Sequence, residues 1–338
     1  MRLAGLDRSR PSKIADIGCG TDAPAYLALH QSGELGRRIL AAQQLLRPCR
    51  LCPRTCNVDR LAGEPGFCGV ASLAVVAAWQ PHFGEEACLV GDNGSGTIFF
   101  AGCNLACVFC QNSDISRPAT ARAAGHEATP EELAGIMLAL QEQGCANINL
   151  VSPTHVVPQV LAALDIACAR GLRLPLVYNS GGYDSLETLG LLDNVVDIYM
   201  PDAKVWEPEI AARLLGARDY PETARAALLE MHRQTGDLFL NEQGLAVRGL
   251  LLRHLVLPDN LAGSEHWLRF IAETVSRNTF IHIMEQYRPC AEAEDHAGLN
   301  RPVSAQECEK ARRIARDFGL QPLEERFPHG LFRLLKGL

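Results

Sequence analysis

The chain has 338 residues, with 32 Lys and Arg against 39 Asp and Glu and a net charge of −7 at pH 7. This acidic balance argues against a broad electrostatic grip on nucleic acid or anionic lipid, and a hydrophobic fraction of 47% excludes a disordered chain. No segment approaches the roughly 18 apolar residues of a membrane span, and the first twenty residues do not resemble a secretory signal. We therefore expect a cytoplasmic protein without membrane or nucleic-acid partners.

The chain has 13 cysteines, and eight of them lie between residues 49 and 110. A secreted disulfide framework usually occurs in a shorter chain with an even number of cysteines. In a reducing compartment closely spaced thiols more often bind metal, so we expect the metal chemistry between residues 49 and 110. Cys145 and Cys168 stand alone in apolar stretches and are predicted to be core side chains.

Residues 1–47 are predicted to form a helical arm. Apolar residues at roughly helical spacing indicate two short helices between residues 25 and 46, interrupted at Ser32-Gly33. Residues 48–96 are predicted to form a metal-binding module and a linker.

The predicted module is turn-rich and contains Cys49, Cys52, Cys56 and Cys68. Four thiols within twenty residues indicate a closed four-cysteine site. A structural zinc would fold such a module outright, whereas an auxiliary iron–sulfur cluster would relay electrons. The spacing allows both, and we take zinc first because the module lies outside the other predicted elements.

The segment from Pro81 to Cys88 concentrates titratable groups before the first predicted strand of the main domain. It is interpreted first as a linker between modules. Alternatively, it closes the bottom of an active site.

From residue 97 to 290 predicted strands alternate with helices. Six strands, mostly separated by one helix each, imply an α/β fold with a parallel sheet, and six units are fewer than the eight of a closed barrel. Periodicity alone leaves an open barrel and a doubly wound sheet as alternatives. Residues 291–338 are predicted to form a helical extension, with a helix capped at Ser304. The predicted strands are 97–100, 146–151, 174–178, 195–200, 250–257 and 279–284.

Three cysteines, Cys103, Cys107 and Cys110, follow the first of these strands at spacings of four and three. Three thiolates on one loop can wrap a single small cluster, and three ligands on a cube of four irons leave one iron open for substrate or cofactor. A zinc site with a fourth ligand from elsewhere is the less favoured alternative, because zinc sites more often present paired Cys-x-x-Cys sequences.

The pattern Cys-x-x-x-Cys-x-aromatic-Cys after a strand resembles the signature of radical S-adenosylmethionine (SAM) enzymes. The resemblance extends over residues 97–290 and is closest to proteins related to pyruvate formate-lyase-activating enzyme. It implies a partial (β/α)6 TIM-like barrel and a 4Fe–4S cluster whose open iron binds the amine and carboxylate of SAM. It further implies reductive cleavage of SAM to a 5′-deoxyadenosyl radical, which abstracts hydrogen from a substrate.

The same resemblance implies a flavodoxin or ferredoxin as electron donor and favours a glycyl radical enzyme as the substrate. Modification of another protein, a peptide or a small molecule is an alternative. A metal-binding adaptor or electron carrier that does not cleave SAM is an alternative of a different class.

Residues after the second and third strands are assigned to SAM by position. Where radical SAM enzymes often carry a Gly-Gly-Glu-Pro-like stretch for the methionine amine, this chain has Ser152, Thr154 and His155 after Asn149. Hydroxyl and carbonyl oxygens would then accept from the ammonium. Asn179 begins a turn that resembles the family's Thr-Asn-Gly turn near the ribose.

The last three strands carry further candidates. Asp202-Ala203-Lys204 resembles the Asp-x-Lys of the activating enzymes, which assigns the acid to the amine or ribose and Lys204 to the SAM carboxylate. Arg253 lies in an otherwise apolar strand and is expected to face a carboxylate, because an unpaired buried charge is costly. His254 points the opposite way and is interpreted as a core histidine. Gln286 is predicted to contact cofactor or substrate.

Overall fold

The computed structural model describes residues 23–323. Residues 1–22 of the predicted arm and residues 324–338 of the predicted extension lie outside this part of the chain. Within it, no helix is long and apolar enough to cross a membrane. Its α-helices are α1 (Tyr26–Gln31), α2 (Glu34–Gln44), α3 (Ala87–Val90), α4 (Ser113–Ser116), α5 (Pro130–Glu142), α6 (Val157–Ala169), α7 (Leu186–Leu191), α8 (Pro208–Leu215), α9 (Tyr220–Thr235), α10 (Ser264–Phe270) and α11 (Ala305–Asp317).

The strands of this part belong to one mixed sheet in the order β10-β9-β8-β6-β5-β4-β2-β1-β3, with β7 paired to β8. They are β1 (Ala74–His82), β2 (Ser95–Phe100), β3 (His126–Ala128), β4 (Ile148–Val151), β5 (Leu176–Ser180), β6 (Ile198–Ala203), β7 (Phe239–Leu240), β8 (Ala246–Leu255), β9 (Phe280–Met284) and β10 (Gln321–Pro322).

The six predicted strands correspond to β2, β4, β5, β6, β8 and β9, and each is parallel to the next. Their order runs in one direction without a reversal. A doubly wound sheet reverses its strand order at a switch point, so that alternative is wrong. The observed order is compatible with an open, partial barrel.

The edge of the sheet beside β2 differs from the sequence prediction. Residues 74–82, predicted to belong to the module and linker, form β1, which pairs antiparallel with β2 and with β3. The first predicted strand, residues 97–100, begins two residues earlier in the structure, because Ser95 and Gly96 already belong to β2. The stretch from residue 74 to 96 is therefore part of the main sheet.

Helix ends follow the capping residues in the sequence. The side chain of Thr129 accepts from the backbone N–H of Glu132 in a capping box before α5, and Ser304 and Glu307 form the equivalent box before α11. The two predicted helices of the arm are α1 and α2, which are separated at Gly33 with φ of +74°. Capping residues in the sequence thus mark the starts of α5 and α11, and a glycine marks the break between α1 and α2.

The arm, the four-cysteine region and the sheet share one hydrophobic core. Its buried members run from Tyr26 in α1 through Cys49 and Cys68 to Leu320. Tyr26 also donates from its hydroxyl to the carbonyl of Leu174 at 2.7 Å. The region around Cys49–Cys68 is thus packed into the main body of the protein rather than standing apart from it.

Candidate active site

A cavity of about 970 Å³ lies on one face of the parallel strands. Successive side chains of a strand alternate between faces, so residues two apart share one. On four strands an apolar residue is followed, two positions later, by a polar residue that lines the cavity. These pairs are Val177 and Asn179, Met200 and Asp202, Leu251 and Arg253, and Phe280 and His282.

Cys103, Cys107 and Cys110 all line this cavity. Their loop follows β2 and is held against α8, because the N–H groups of Ala106 and Val108 donate to the carbonyls of Leu215 and Leu214 at 3.0 and 2.9 Å. The loop therefore sits at the carboxyl end of β2, on a framework of backbone hydrogen bonds.

The thiol trio fits an iron–sulfur cube better than a single metal ion. Burial raises the pKa of Cys103 to about 11 and that of Cys107 to about 12, while the nearby Lys204 ammonium acts in the opposite direction. Such thiols become thiolates when a metal displaces their protons. Within residues 23–323 no three Cys, His, Asp or Glu side chains converge on one metal ion, but a cube binds each thiolate through a different iron.

Next to the thiols lies a buried charge network. Lys204 Nζ donates to Asp202 Oδ2 at 2.6 Å, and Arg253 Nε donates to Asp202 Oδ1 at 2.8 Å. Arg253 Nη2 also donates to Asn179 Oδ1 at 2.7 Å. Burial alone would raise the pKa of Asp202, but Arg253 and Lys204 hold it below its usual range. Arg253 thus faces a carboxylate, as its position in an apolar strand indicates.

The structure brings six of the nine predicted cofactor-binding residues to the cavity wall. These are Ser152, Asn179, Asp202, Lys204, Arg253 and Gln286.

The other three residues do not line the cavity. Thr154 Oγ1 donates to Asp184 at 2.7 Å, and His155 Nε2 donates to the carbonyl of Ala101 at 2.9 Å. Asn149 is fully buried in β4, and neither atom of its amide has a hydrogen-bond partner among the described residues. Thr154 and His155 therefore stabilise the turns around the site, whereas Asn149 has unused hydrogen-bonding capacity.

Comparison with known proteins identifies the fold's family. The model of the radical SAM superfamily matches residues 97–237. An uncharacterised protein of Methanocaldococcus jannaschii is 31% identical to this chain over 292 residues, which cover 85% of this chain and 79% of that protein. The chain belongs to the radical SAM superfamily. Membership makes it an enzyme and implies a 4Fe–4S cluster and SAM.

The floor of the radical SAM cavity is formed by residues between β1 and β2. Cys88 and Leu89 of α3 belong to a buried cluster with Val177, Met200 and Leu251. These three are the apolar residues that precede the polar cavity residues on their strands. Since α3 covers these apolar residues, the interpretation of this segment as a mere linker is wrong. It closes one end of the site.

Glu85, Glu86 and His282 also line the cavity and were not among the predicted site residues. His282 Nδ1 donates to Glu86 Oε1 at 2.8 Å, and Glu85 Oε2 lies 3.8 Å from Arg253 Nη1. Burial, and then the adjacent Glu86 carboxylate, raise the pKa of Glu85 to about 7. The sequence signal for this group was the pair of acids at positions 85 and 86.

The four-cysteine region packs directly on the loop of the radical SAM cysteines. A Cβ on Gly102 would lie 2.4 Å from the carbonyl oxygen of Cys68, so the two segments touch through their backbones. Arg54 reinforces the contact, because its Nε donates to the carbonyl of Asn104 at 2.8 Å. A Cβ on Gly66 would lie 3.5 Å from Cys56 Sγ and 3.7 Å from Cys68 Sγ, which places these two sulfurs near each other.

Between the two cysteine groups lies a buried arginine. Arg60 is 1% exposed and donates from Nε to the carbonyl of Ala71 and from Nη1 to that of His155. Its Nη2 has no hydrogen-bond partner among the described residues. Burial raises the pKa of the Cys68 thiol, and the charge of Arg60 opposes this in part. Among the described residues no carboxylate pairs with Arg60, so the buried guanidinium needs another anion nearby, which Cys68 would supply as a metal-bound thiolate.

Proposed function

We propose that this chain binds SAM in the cavity beside Cys103, Cys107 and Cys110 and abstracts a hydrogen atom from a substrate. The observation that carries the proposal is that these three thiols and the network of Lys204 and Asp202 line one cavity on a face of the six parallel strands. When bound, the cluster and SAM supply the 5′-deoxyadenosyl radical. The protein supplies position, charge and exclusion of water.

The charge network has a donor for the carboxylate of SAM and an acceptor for its amine. An ammonium has three N–H donors, and Lys204 gives one of them to Asp202, so the others can bind the SAM carboxylate. Asp202 accepts from Lys204 and Arg253 through different oxygens, and a carboxylate oxygen has a second lone pair for the amine or ribose. Asn179, Ser152 and Gln286 border the same space.

The test is formation of 5′-deoxyadenosine by the anaerobically reconstituted protein, given SAM and dithionite. Cys107→Ala should abolish it, because two thiolates cannot hold the cluster with one iron open. Cys168→Ala removes a buried thiol of α6 that is outside the cavity and should retain cleavage. Full activity of Cys107→Ala would refute the ligand assignment, and a wild-type protein that makes no 5′-deoxyadenosine would be the electron carrier instead.

As the finer function we propose activation of a glycyl radical enzyme, with reduced flavodoxin or ferredoxin as donor. The Asp202-Ala203-Lys204 sequence supports it, because both charged side chains line the cavity as the resemblance to the activating enzymes requires. Appearance of a glycyl radical signal in a co-purified partner would support this proposal. Products formed on a peptide or small molecule, without such a signal, would contradict it and favour direct modification.

We also propose that Cys49, Cys52, Cys56 and Cys68 hold a second metal centre, an auxiliary iron–sulfur cluster. The sequence favoured zinc because the module was expected to lie apart from the main domain. In the structure, however, the backbone of Cys68 contacts that of Gly102. Contact with the loop of Cys103 suits a cluster that passes electrons to its neighbour. An anionic centre would also balance the buried charge of Arg60.

Metal analysis of the protein with Cys103, Cys107 and Cys110 all replaced by Ala tests this second centre. The proposal predicts that about half of the iron and sulfide of the wild-type protein remains, because two four-iron clusters contribute equally. Zinc in place of iron in this variant would contradict it. The additional substitution Cys56→Ala should then remove the remaining iron.

A further inference from the structure

We propose that Glu85 and Glu86 form a subsite in the floor of the cavity that binds a positively charged amine or guanidinium group of the substrate. This inference rests on the proposed function, since it names the substrate class of the same cavity. It goes beyond that function because none of the residues that would contact SAM forms this subsite.

The topology places the two glutamates away from the thiols along the strands. β1 is antiparallel to β2 and pairs its last residue, His82, with Ser95 at the start of β2. The connection between them therefore begins and ends at the amino end of β2, whereas the loop of Cys103 follows its carboxyl end. The substrate group bound here would extend from the floor towards the radical.

Glu86 has one oxygen that the described residues leave without a partner. The residue is 6% exposed and lines the cavity. Its Oε1 accepts from His282, but its Oε2 is buried and accepts no hydrogen bond from any residue between 23 and 323. A buried carboxylate oxygen without a donor is unfavourable, because it has lost its hydrogen bonds to water and gained none from the protein. A ligand with an N–H group in the cavity would remove this cost.

Glu85 is the second acidic residue of the subsite. The cation beside it, Arg253, already donates to other residues. Arg253 lies 3.8 Å from Glu85 Oε2, but it donates to Asp202 at 2.8 Å and to Asn179 at 2.7 Å. Among the described residues, the charged groups that face the pair are Arg253 and His282, with Asp202 and its second cation Lys204 behind Arg253. Arg253 makes its hydrogen bonds to Asp202 and Asn179 and only a longer contact to Glu85, so it neutralises the pair of glutamates only in part.

These contacts select a cationic ligand over other classes. An anion would meet the negative charge of the two acids, and an apolar group would leave Glu86 Oε2 without a donor. A neutral amide or a water could donate to Glu86 but would bring no positive charge to the pair. An ammonium or guanidinium does both, through a charge-assisted hydrogen bond.

The experiment measures binding of small probes to the reconstituted full-length protein by calorimetry, without any SAM cleavage. The cationic probes are n-propylammonium and n-propylguanidinium. Propionamide is the neutral control of similar size, and propionate is the anionic control. We expect at least one cation to bind tenfold or more tightly than propionamide. Glu86→Gln should remove this preference, whereas Glu131→Gln, on the exposed side of α5, should retain it. Glu85→Gln serves as a second variant that weakens cation binding.

Equal binding of cations and propionamide by the wild-type protein, or an unchanged preference in both variants, would overturn the subsite. The ammonium that binds the glutamates could belong to the substrate or to SAM itself. Repeating the titration with SAM present distinguishes these two sources. Cation binding that persists with SAM supports a substrate subsite, while competition would assign the glutamates to SAM and overturn the inference. Cation binding by a protein that makes no 5′-deoxyadenosine would support the subsite and contradict the proposed function instead.

Discussion

At the scale of single residues, chemistry in the sequence predicted which groups need partners but not which partners they find. Arg253 was expected to meet a carboxylate because it lies in an apolar strand. That the carboxylate is Asp202, with Asn179 as a third member, depends on the pairing of β6 with β8. His254, one position on, is a satisfied core histidine, bound to the Ala203 carbonyl and the Ser264 hydroxyl.

Substitution of Arg253 by Met should destabilise the fold strongly. It leaves Asp202 with Lys204 alone and removes the cation beside Glu85, and breaking a buried ion pair costs about 3–5 kcal/mol. Arg122→Met is the matched control, because Arg122 pairs with Glu127 at the surface with 57% of its side chain exposed, and such pairs contribute about 0–1 kcal/mol. Denaturant unfolding of both variants measures the difference. Equal losses would contradict the buried network.

Other residues show where sequence reasoning fails. Thr154 and His155 were assigned to the cofactor by their place after a strand, yet they bond to Asp184 and to the Ala101 carbonyl. Position in a motif indicates the neighbourhood of a side chain, but its orientation is set by partners far along the chain. Glu85 and Glu86 were missed as site residues for the same reason.

At the scale of elements, patterns of apolar residues and caps predicted the six parallel strands and the helices between them. The strand β1 was missed because it is rich in alanine and contains Pro81, both of which are rare in strands. The helix α3 has only four residues, too few for a periodic pattern. Both elements are stabilised by tertiary contacts, with β2 and with the cavity face.

The contact between the four-cysteine region and the loop of Cys103 gives a prediction at this scale. Gly102 has φ of +82°, and a Cβ there would lie 2.4 Å from the carbonyl oxygen of Cys68. Gly102→Ala should therefore separate the two segments and reduce the iron bound per chain. Gly244→Ala is the control, because its φ of +79° gives a similar backbone strain of about 1–2 kcal/mol with nothing within 4 Å of the added Cβ. Equal iron content in the two variants would show that the contact is dispensable.

At the scale of the whole molecule, strand order decides the architecture. The sequence predicted six parallel strands but left an open barrel and a doubly wound sheet as alternatives, because both have the same local periodicity. The one-directional order excludes the second. It also brings the carboxyl ends of successive strands together, so that side chains from Cys103 to Gln286 share one cavity.

From the sequence, closure of the cavity by residues 81–88 was only an alternative, and nothing indicated that the four-cysteine region packs on the loop of Cys103, for one physical reason. Both depend on contacts between distant segments, such as Glu86 with His282 and Cys68 with Gly102. Such contacts leave no periodic signal in either segment. One hydrophobic core includes buried residues from Tyr26 to Leu320, so the described parts of the predicted domains pack against one another.

The central claim is that Cys103, Cys107 and Cys110 hold a four-iron cluster with one iron open to SAM. Electron paramagnetic resonance of the dithionite-reduced protein, recorded with and without SAM, tests it most directly. We predict a 4Fe–4S signal whose g values change when SAM is added, and no SAM-dependent change in the Cys107→Ala variant. A reduced wild-type cluster whose signal SAM leaves unaltered would contradict the account.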